Sequence, residues 1–303
     1  MASTLNITTN YVGEVAGGYI AEMIKEANTI SENLVTVLPN IVSPQFIRKV
    51  ETASGFVDYA CGWTPAGSVT LSEKELAPKK IKEDREFCKE DFRQLWTAQE
   101  MGFSAHNDNG LPATEQTAIL ADMGTRLARK LDQEIWNGDG SDGSLAGFIP
   151  AFLLDADVID VSGVAITSAN VEAELVKFLD AITDEMDQED SLVRGVSTNV
   201  LRAVKKLYGS QARTNGTFLN PSEAEFNGYT LTEIKGLPAN TMVAYNKSNL
   251  FFGTGLLSDM NDIRIKDMDE TDLSGQVRTK IVLTGGVQYA WGGEIVLYSI
   301  PTV

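Results

Sequence analysis

The sequence predicts an α+β fold, in which helices and strands occupy largely separate parts of the chain. Three observations predict it: a charged extended segment over residues 46–92, a long amphipathic helix over residues 112–136, and a series of strands towards the C-terminal end. Runs of helices and strands that are segregated along the chain are typical of α+β proteins. Because an extended segment cannot bury both of its faces within one subunit, this order also predicts a chain that forms assemblies.

The composition limits the classes of protein to which the chain can belong. Its 303 residues are enough for roughly two domains, and 43% of them are hydrophobic, which excludes disorder throughout. No apolar run approaches the roughly 18 residues that a membrane-spanning helix needs. The formal net charge of −17 argues against a protein that grips nucleic acid through a basic surface. We therefore expect a soluble protein, made in a cytoplasm, with no membrane partner.

The extended segment is predicted to form a two-stranded ribbon. The stretch Lys49–Cys61 is strand-like, Trp63–Gly67 supplies turn residues, and a second extended run follows over Val69–Glu86. Acids and bases alternate closely on both sides of Pro78, which is typical of a solvent-facing edge and not of a central strand. We expect this ribbon to project from the subunit and to touch at least one neighbour.

The long helix is indicated by apolar residues that recur at spacings of three and four, which places them on one helical face. Pro112 suits its first turn and Asn137-Gly138 suits its end. About 24 residues at 1.5 Å each give a length of about 36 Å. We expect the apolar stripe to face the closing strands that carry Ile281 and Leu283. The residues of this stripe are Leu120, Met123, Leu127, Leu131 and Ile135.

The remaining elements are predicted from the same patterns. Apolar periodicity predicts a second helix over residues 168–187 and a third over 198–208, which Gly209 is expected to end. A short helix is expected near residues 18–26. Strands are predicted over residues 242–245, 250–252, 263–265 and 277–283, and a further strand is predicted after Gly292-Gly293.

Several motifs resemble sites of chemistry but lack the context that the chemistry requires. Residues 138–143 match G-x-G-x-x-G, yet a helix precedes them where a dinucleotide site needs a strand. The same loop lacks the glycine and the glutamate of a calcium loop, since Asp142 and Phe148 stand there. His106 is the only histidine, and no G-x-S-x-G occurs. We expect no catalytic residues, no cofactor and no metal site, and therefore a protein that is not an enzyme.

The ordered parts resemble the major capsid protein of tailed bacteriophages, whose Hong Kong 97 fold is shared with encapsulin shells. Trp136–Gly140 followed by Leu145–Phe148 is similar to the family's turn out of its spine helix. Lys205–Gly209, Phe226–Thr230 and Leu237-Pro238 resemble passages of its axial domain. The resemblance implies a Hong Kong 97-like organisation. Its parts are an N-terminal arm (1–45), an extended loop (46–97), a peripheral domain with the spine helix (98–150), an axial domain (151–258) and closing strands of the peripheral domain (259–303).

The resemblance also implies a structural function. Copies of the chain are expected to form pentamers and hexamers of an icosahedral shell around a double-stranded DNA genome, assembled in the host cytoplasm and located in the virion. Expected partners are further copies of the chain, portal and scaffolding proteins, decoration proteins, and packaged DNA held non-specifically. The long N-terminal scaffold segment of some family members has no counterpart here. The resemblance therefore implies either a separate scaffolding protein or a segment cut from a longer precursor, and the start at Met1 favours the separate protein.

The resemblance places the contact residues in the extended loop. The bases expected to pair with acids of a neighbouring subunit, without covalent links, are Lys74, Lys79, Lys80, Arg85 and Arg93. Three alternatives stay open on sequence alone. They are an encapsulin-like shell around a cargo enzyme, an acidic enzyme that uses Asp and Glu around a divalent ion, and a tail or adhesion protein.

Overall fold

The computed structural model confirms a mixed helix and strand fold. It describes residues 28–41, 43–52, 55–59, 61–62, 67–88, 113–215, 225–255, 263–268 and 274–300. The predicted helix near residues 18–26, as well as His106 and Arg93, lies outside these residues. None of the described helices is long and apolar enough to span a membrane.

Six α-helices and fourteen strands are found in the described part of the chain. The helices are α1 Asn28–Ser31, α2 Ala113–Asn137, α3 Phe148–Leu154, α4 Val171–Asp180, α5 Asp184–Asp187 and α6 Thr198–Asn215. The strands are β1 Thr36–Leu38, β2 Gln45–Thr52, β3 Val69–Leu76, β4 Lys79–Cys88, β5 Ile159–Ser162, β6 Leu192–Val196, β7 Glu225–Phe226, β8 Tyr229–Thr230, β9 Thr232–Glu233, β10 Met242–Asn246, β11 Leu250–Thr254, β12 Ile263–Asp267, β13 Gln276–Tyr289 and β14 Ile295–Ser299.

The strands form two five-stranded sheets and two separate pairs. One sheet has the order β1-β11-β13-β12, with β4 also paired to β13. The other has the order β5-β14-β10-β6-β9. The strands β2 and β3 form an antiparallel ribbon of their own, and β7 pairs with β8. The predicted C-terminal strands are therefore all present, and the long alternating segment is β13.

The helix α2 and the first sheet share one hydrophobic core, as predicted. Leu127, Leu131 and Ile135 of α2 are buried in the same cluster as Ile281 and Leu283 of β13. The side chain of Leu120 lies outside the described residues. The alternation of buried and exposed residues along β13 points its buried residues towards this core.

A second core lies between the second sheet and the helices α4 and α6. The predicted helix over residues 168–187 is wrong as one element, because the chain forms α4 and the short α5 instead. Thr183 explains the break: its side chain accepts a hydrogen bond from the backbone N–H of Met186, which caps α5. Val171, Leu175 and Phe178 of the predicted stripe are buried, as is Met186.

The helix α6 is longer than predicted. It continues through Gly209 to Asn215, so the expectation that Gly209 ends the helix is wrong. Glycine inside a helix costs only about 1 kcal/mol relative to alanine, and the apolar face of α6 that includes Val200 and Val204 is buried in the second core. The packing of the helix therefore outweighs the weak helical preference of one residue.

Part of the predicted N-terminal arm belongs to the chain's own core. Leu34, Val35 and Ile41 are buried, and β1 pairs in parallel with β11. The sequence interpretation treated residues 1–45 as a separate arm. The structure shows that residues 28–41 are held by a few specific contacts within this chain.

The extended run over Val69–Glu86 is also divided. The chain turns at Ala77-Pro78, and β4 pairs with β13 over ten residue pairs, from Lys79↔Gly285 to Cys88↔Gln276. At this turn a Cβ on Gly286 would lie 2.8 Å from the carbonyl oxygen of Ala77, so only glycine permits the close approach. The ribbon is therefore β2 with β3, while β4 belongs to the first sheet.

Candidate subunit-contact surface

The ribbon of β2 and β3 has two faces, which the strand register defines. Eight antiparallel pairs run from Gln45↔Leu76 at the base to Thr52↔Val69 at the outer end. At about 3.3 Å per residue the paired part is about 25 Å long. Residues that lie opposite each other share a face, and successive residues alternate between faces. The two faces have different surroundings.

One face, which we call the inner face, is held by the chain itself. Leu76 at the base is fully buried. Lys74 Nζ lies 2.8 Å from Asp155 Oδ2 and 3.6 Å from the centroid of the Tyr289 ring. Further out, Lys49 Nζ lies 4.4 Å from the centroid of the Trp291 ring. These contacts fix the inner face of the ribbon against the body of the subunit.

The charge of Lys74 changes the acidity of the groups that it contacts. Its hydrogen bond is the main cause that lowers the pKa of Asp155 to about 2, although partial burial opposes the shift. Tyr289 donates its hydroxyl to Asp155 Oδ2 at 2.7 Å. Burial and this bond to a carboxylate both raise the pKa of Tyr289. At neutral pH Lys74 and Asp155 therefore form an ion pair, and the neutral phenol of Tyr289 donates a hydrogen bond to Asp155.

The other face, which we call the free face, carries apolar residues in the open. Phe46, Val50, Val69 and Leu71 are exposed by between 54% and 74%. Val50 and Leu71 lie directly opposite each other. The charged pair Arg48 and Glu73 separates Phe46 from the other three, which form one apolar group at the outer end of the ribbon. An exposed apolar group of this kind is typical of an interaction site. The free face therefore has the properties of a surface that is covered by another molecule.

The apolar character continues into the loop beyond the strands. Phe56 and Tyr59 are 99% and 95% exposed, and Val57 between them is also exposed. Asp58 in the same segment is exposed as well. We refer to residues 55–59 as the ribbon tip.

Arg93 lies outside the described residues, and the other four predicted contact bases do not lie together on the ribbon. Lys74 is on the inner face and is used within the chain. Lys79 donates to the carbonyl oxygens of Gly140, at 3.0 Å, and of Ser141. Arg85 bonds Glu83 on its own strand, with its Nε 2.6 Å from Glu83 Oε1. Lys79, Lys80 and Arg85 belong to β4, where Lys80 and Arg85 are exposed.

The apolar residues of the free face were missed by the sequence interpretation, which emphasised charge. A signal for them was available in the sequence, because Phe46 and Val50 stand four residues apart, and Val69 and Leu71 stand two residues apart. In a two-residue period such positions share one face. Without the register of β2 against β3, however, the two apolar groups cannot be placed together.

The glycine-rich loop after α2 has a structural role. Asp139 and Ala146 form a β-bridge, and a Cβ on Gly138 would lie 2.2 Å from the carbonyl oxygen of Leu145. Burial of Glu134 opposes its ionisation, but hydrogen bonds from Lys130, Ser144 and the backbone of Leu145 outweigh burial and lower its pKa. Among the described residues no group of His, Cys, Asp or Glu is arranged to hold a metal ion.

Comparison with known proteins gives matches in structure only. No protein-family model and no curated protein matches the chain in sequence. A subunit from the capsid of a native GTA particle, computed with C5 symmetry, has a TM-score of 0.62 at 11% identity, with 96% of each chain covered. A structure of Gordonia phage Cozz has a TM-score of 0.63 at 11% identity, covering 97% of this chain and 92% of that one. The chain has the fold of a phage capsid subunit.

A third similar structure contains an additional protein. The procapsid of satellite phage P4, which contains a size determination protein, has a TM-score of 0.60 at 15% identity, covering 90% of this chain and 88% of that chain. These matches confirm the predicted Hong Kong 97-like capsid fold over almost the whole chain.

Proposed function

We propose that many copies of this chain assemble into an icosahedral shell that encloses a double-stranded DNA phage genome. The observation that carries the proposal is the free face of the ribbon, an apolar surface exposed on a chain that has the fold of capsid subunits. The role is structural, without enzymatic activity. The similar structures are phage and GTA particles, and none of those described above supports the encapsulin-like alternative.

The energetic argument concerns the sum of many modest contacts. Burying apolar surface stabilises a contact between subunits by about 25 cal/mol per Å², so the four side chains on one ribbon contribute a few kcal/mol. The loss of rigid-body freedom on association has to be subtracted from this gain. In a closed lattice every subunit gives and receives the same contact, and the contributions add over the whole shell. A subunit that is monomeric or weakly associated in dilute solution can therefore form a stable container.

The proposed partners follow from the same function. Copies of the chain form pentamers and hexamers, and portal, scaffolding and decoration proteins complete the virion. The P4 procapsid, which contains a second protein, is a precedent for such additional components. A net charge of −17 suits a container in which packaged DNA is held non-specifically and slides during packaging.

The charged residues of the extended segment add weaker contacts in this proposal. Lys80 and Arg85 are exposed on β4 and, with Arg93, remain candidates to meet acids of a neighbour. Lys74 and Lys79 already bond within the chain and are expected to contribute less. Exposed ion pairs stabilise by only about 0–1 kcal/mol each and are screened by salt. The apolar free face is therefore expected to dominate the contact.

The test compares two valine substitutions that differ only in position. The chain is expressed together with its genomic neighbours, and particles are counted by negative-stain electron microscopy after sedimentation. Val50→Glu on the free face is expected to reduce the yield of shells at least tenfold. Val176→Glu, at an exposed valine of α4, is the matched control and is expected to leave the yield unchanged.

Two outcomes would contradict the proposal. If the unsubstituted chain remains a monomer or dimer with no particles, the shell function is wrong. If it forms shells and Val50→Glu forms them equally well, then the free face of the ribbon is not the contact that holds the shell together.

A further inference from the structure

The first sheet has one face that packs on α2 and a second face that is open among the described residues. Ile281 and Leu283 of β13 lie in the core, whereas Arg278 and Lys280 of the same strand are exposed. Residues that lie opposite each other on neighbouring strands share a face, so the register identifies the other residues of the open face. Its six bases and two acids are Lys80, Lys82, Asp84 and Glu86 of β4, Arg278 and Lys280 of β13, and Arg264 and Lys266 of β12. We call this surface the basic face.

Bases of the basic face lie directly opposite other bases. Arg278 of β13 pairs in register with Lys266 of β12, and Lys280 pairs with Arg264. All four residues are exposed. Like charges in directly opposite positions destabilise a sheet. The face therefore carries a local concentration of positive charge that the packing of the sheet does not require.

The two acids of the basic face do not neutralise it. Asp84 forms an ion pair with Lys82, and Arg278 Nε lies 2.8 Å from Glu86 Oε1. Three lysines of the face form no ion pair with any described residue, namely Lys80, Lys266 and Lys280. The net charge of −17 for the whole chain conceals this local excess of bases.

The chemistry of the basic face fits a nucleic acid better than a protein. The centre of a protein–protein contact is depleted of charged residues and is held by buried aromatic and apolar side chains. In the described part of the basic face, Val282 is the only large hydrophobic residue that is exposed. Phosphate groups, in contrast, are bound by lysine and arginine without apolar contacts.

We propose that the basic face contacts the phosphate backbone of the double-stranded DNA that the shell encloses. The inference rests on the proposed shell function and assigns the surface of the chain that faces the genome. A phosphate placed between two opposite bases accepts charge-assisted hydrogen bonds from both and offsets the repulsion between them. The basic face accordingly lies on the inside of the shell, and α2 lies on the other side of the first sheet.

The proposed contact is weak for each subunit, which packaging requires. The four bases of β12 and β13 can neutralise about four phosphates, so the logarithm of the binding constant should fall against the logarithm of the salt concentration with a slope of about −3.6. Contacts to phosphates carry no sequence information, so the DNA can slide over the face. The acidic remainder of the chain limits the contact to this surface.

Binding of a short fluorescent DNA duplex to the purified, unassembled chain tests the surface. Fluorescence anisotropy at several salt concentrations gives the affinity and the salt slope. The double variant Lys266→Gln and Lys280→Gln is expected to bind about tenfold more weakly at low salt and to have a slope smaller by about 2. Each substitution removes a contact between like charges, so the free energy of unfolding, measured by urea denaturation, is not expected to fall.

The matched control removes the same charge from another surface. Lys205→Gln and Lys206→Gln replace two exposed lysines of α6, and the slope is expected to stay unchanged. An unchanged slope in the basic-face variant, or an equal loss of slope in both variants, overturns the inference. Binding of poly-glutamate by the unsubstituted chain without binding of the duplex also overturns it, because the partner would then be an acidic protein.

Filled particles give a second measurement, which separates this inference from the function on which it rests. Lysines are acetylated in DNA-filled particles and in mature particles that have released their DNA, and mass spectrometry compares the two. Lys266 and Lys280 are expected to react less in filled particles, whereas Lys205 and Lys206 should react equally in both. Particles that package DNA without protecting Lys266 and Lys280 overturn the contact and leave the shell function standing. Absence of shells from the unsubstituted chain overturns both.

Discussion

Trp136 donates its indole N–H to Thr29 Oγ1 at 2.7 Å, although 107 residues separate them. Both residues are fully buried. The backbone N–H of Thr29 donates in turn to Asp132 Oδ1 at 3.1 Å. Next to it, Asn28 donates to the carbonyl oxygen of Glu233 and accepts from the backbone N–H of Lys235. These bonds attach residues 28–41 to the C-terminal end of α2, so the two segments form one unit.

Removing the hydroxyl of Thr29 tests this attachment. Thr29→Val keeps the shape of the side chain but leaves the buried N–H of Trp136 without an acceptor, which costs about 1–3 kcal/mol. We expect the free energy of unfolding, measured by urea denaturation of the purified chain, to fall by this amount. Thr70→Val on the exposed ribbon is the control and should change stability by less than about 0.5 kcal/mol. Equal stability of both variants would show that the bond is dispensable.

Asp132 gives the fold a dependence on pH. Burial raises the pKa of this carboxyl above its usual value, although bonds from Thr29 and Gly236 and the charge of Lys235 partly oppose the shift. The folded chain therefore holds the proton of Asp132 more tightly than the unfolded chain. This contribution to stability is complete below the unfolded pKa, near 4, and is lost as the pH rises through the folded pKa.

Asp132→Asn should remove this dependence. The amide keeps an oxygen that accepts from Thr29, and its N–H groups can serve the nearby hydroxyl of Tyr245, which is buried without a partner in the described structure. We expect the variant to gain stability relative to the original chain as the pH rises from about 4 to 7. Urea denaturation at several pH values measures this difference. A constant difference across that range would contradict the argument.

The parts of the fold that could be predicted are those with a long local period. The apolar stripe of α2 and the alternation along β13 are repeated over several turns or residues, so single exceptions do not hide them. The ends of the helices were harder to predict, because each depends on one residue. Thr183 divides a helix by a side-chain cap, while Gly209 lies within a helix and does not end it. Sequence alone does not tell which local preference tertiary packing will override.

The sequence predicted a charged two-stranded ribbon, whereas the structure shows a shorter ribbon whose free face carries exposed apolar residues. The ribbon was expected from its interleaved charges. The second part of that charged segment, however, is β4, which pairs with β13 in the first sheet and not with the ribbon. Lys74 and Lys79 were expected to reach a neighbour, but Asp155 and the loop after α2 engage them within the chain. Such partners are distant in sequence, so no local pattern reveals them.

The packing of α2 on β13 predicts a large effect of one truncation. Leu127 is buried in the cluster that contains Ile281 and Leu283. Leu127→Ala should lower the free energy of unfolding by about 2–5 kcal/mol, because it removes buried apolar contacts and leaves a cavity. Leu154→Ala, at a leucine that is largely exposed at the end of α3, is the control and should stay within about 0.5 kcal/mol. If both variants unfold at the same urea concentration, the stripe of α2 is not part of the core.

The last prediction concerns how the proposed shell is held together. A covalent link between subunits would need a lysine amine that is free to react. Lys74 is engaged in the ion pair with Asp155, and Lys79 donates to two backbone carbonyls, so neither amine is presented outward. Lys80 and Lys82 are both exposed on β4, and Lys82 is paired with Asp84, so Lys80 is left among the lysines of this strand and does not by itself make a linking site. We therefore expect shells that are held by non-covalent contacts alone.

Denaturing electrophoresis of mature particles measures this directly. After boiling with reductant, the chain should run as a single band near 32.9 kDa. A ladder of chain multiples that survives this treatment would contradict the prediction. Lys80→Arg then serves as the matched variant, because arginine keeps the positive charge and removes the reactive amine. Loss of the ladder in that variant would identify Lys80 as the linking residue, and persistence of the ladder would direct the search to other lysines, including Lys82 of β4.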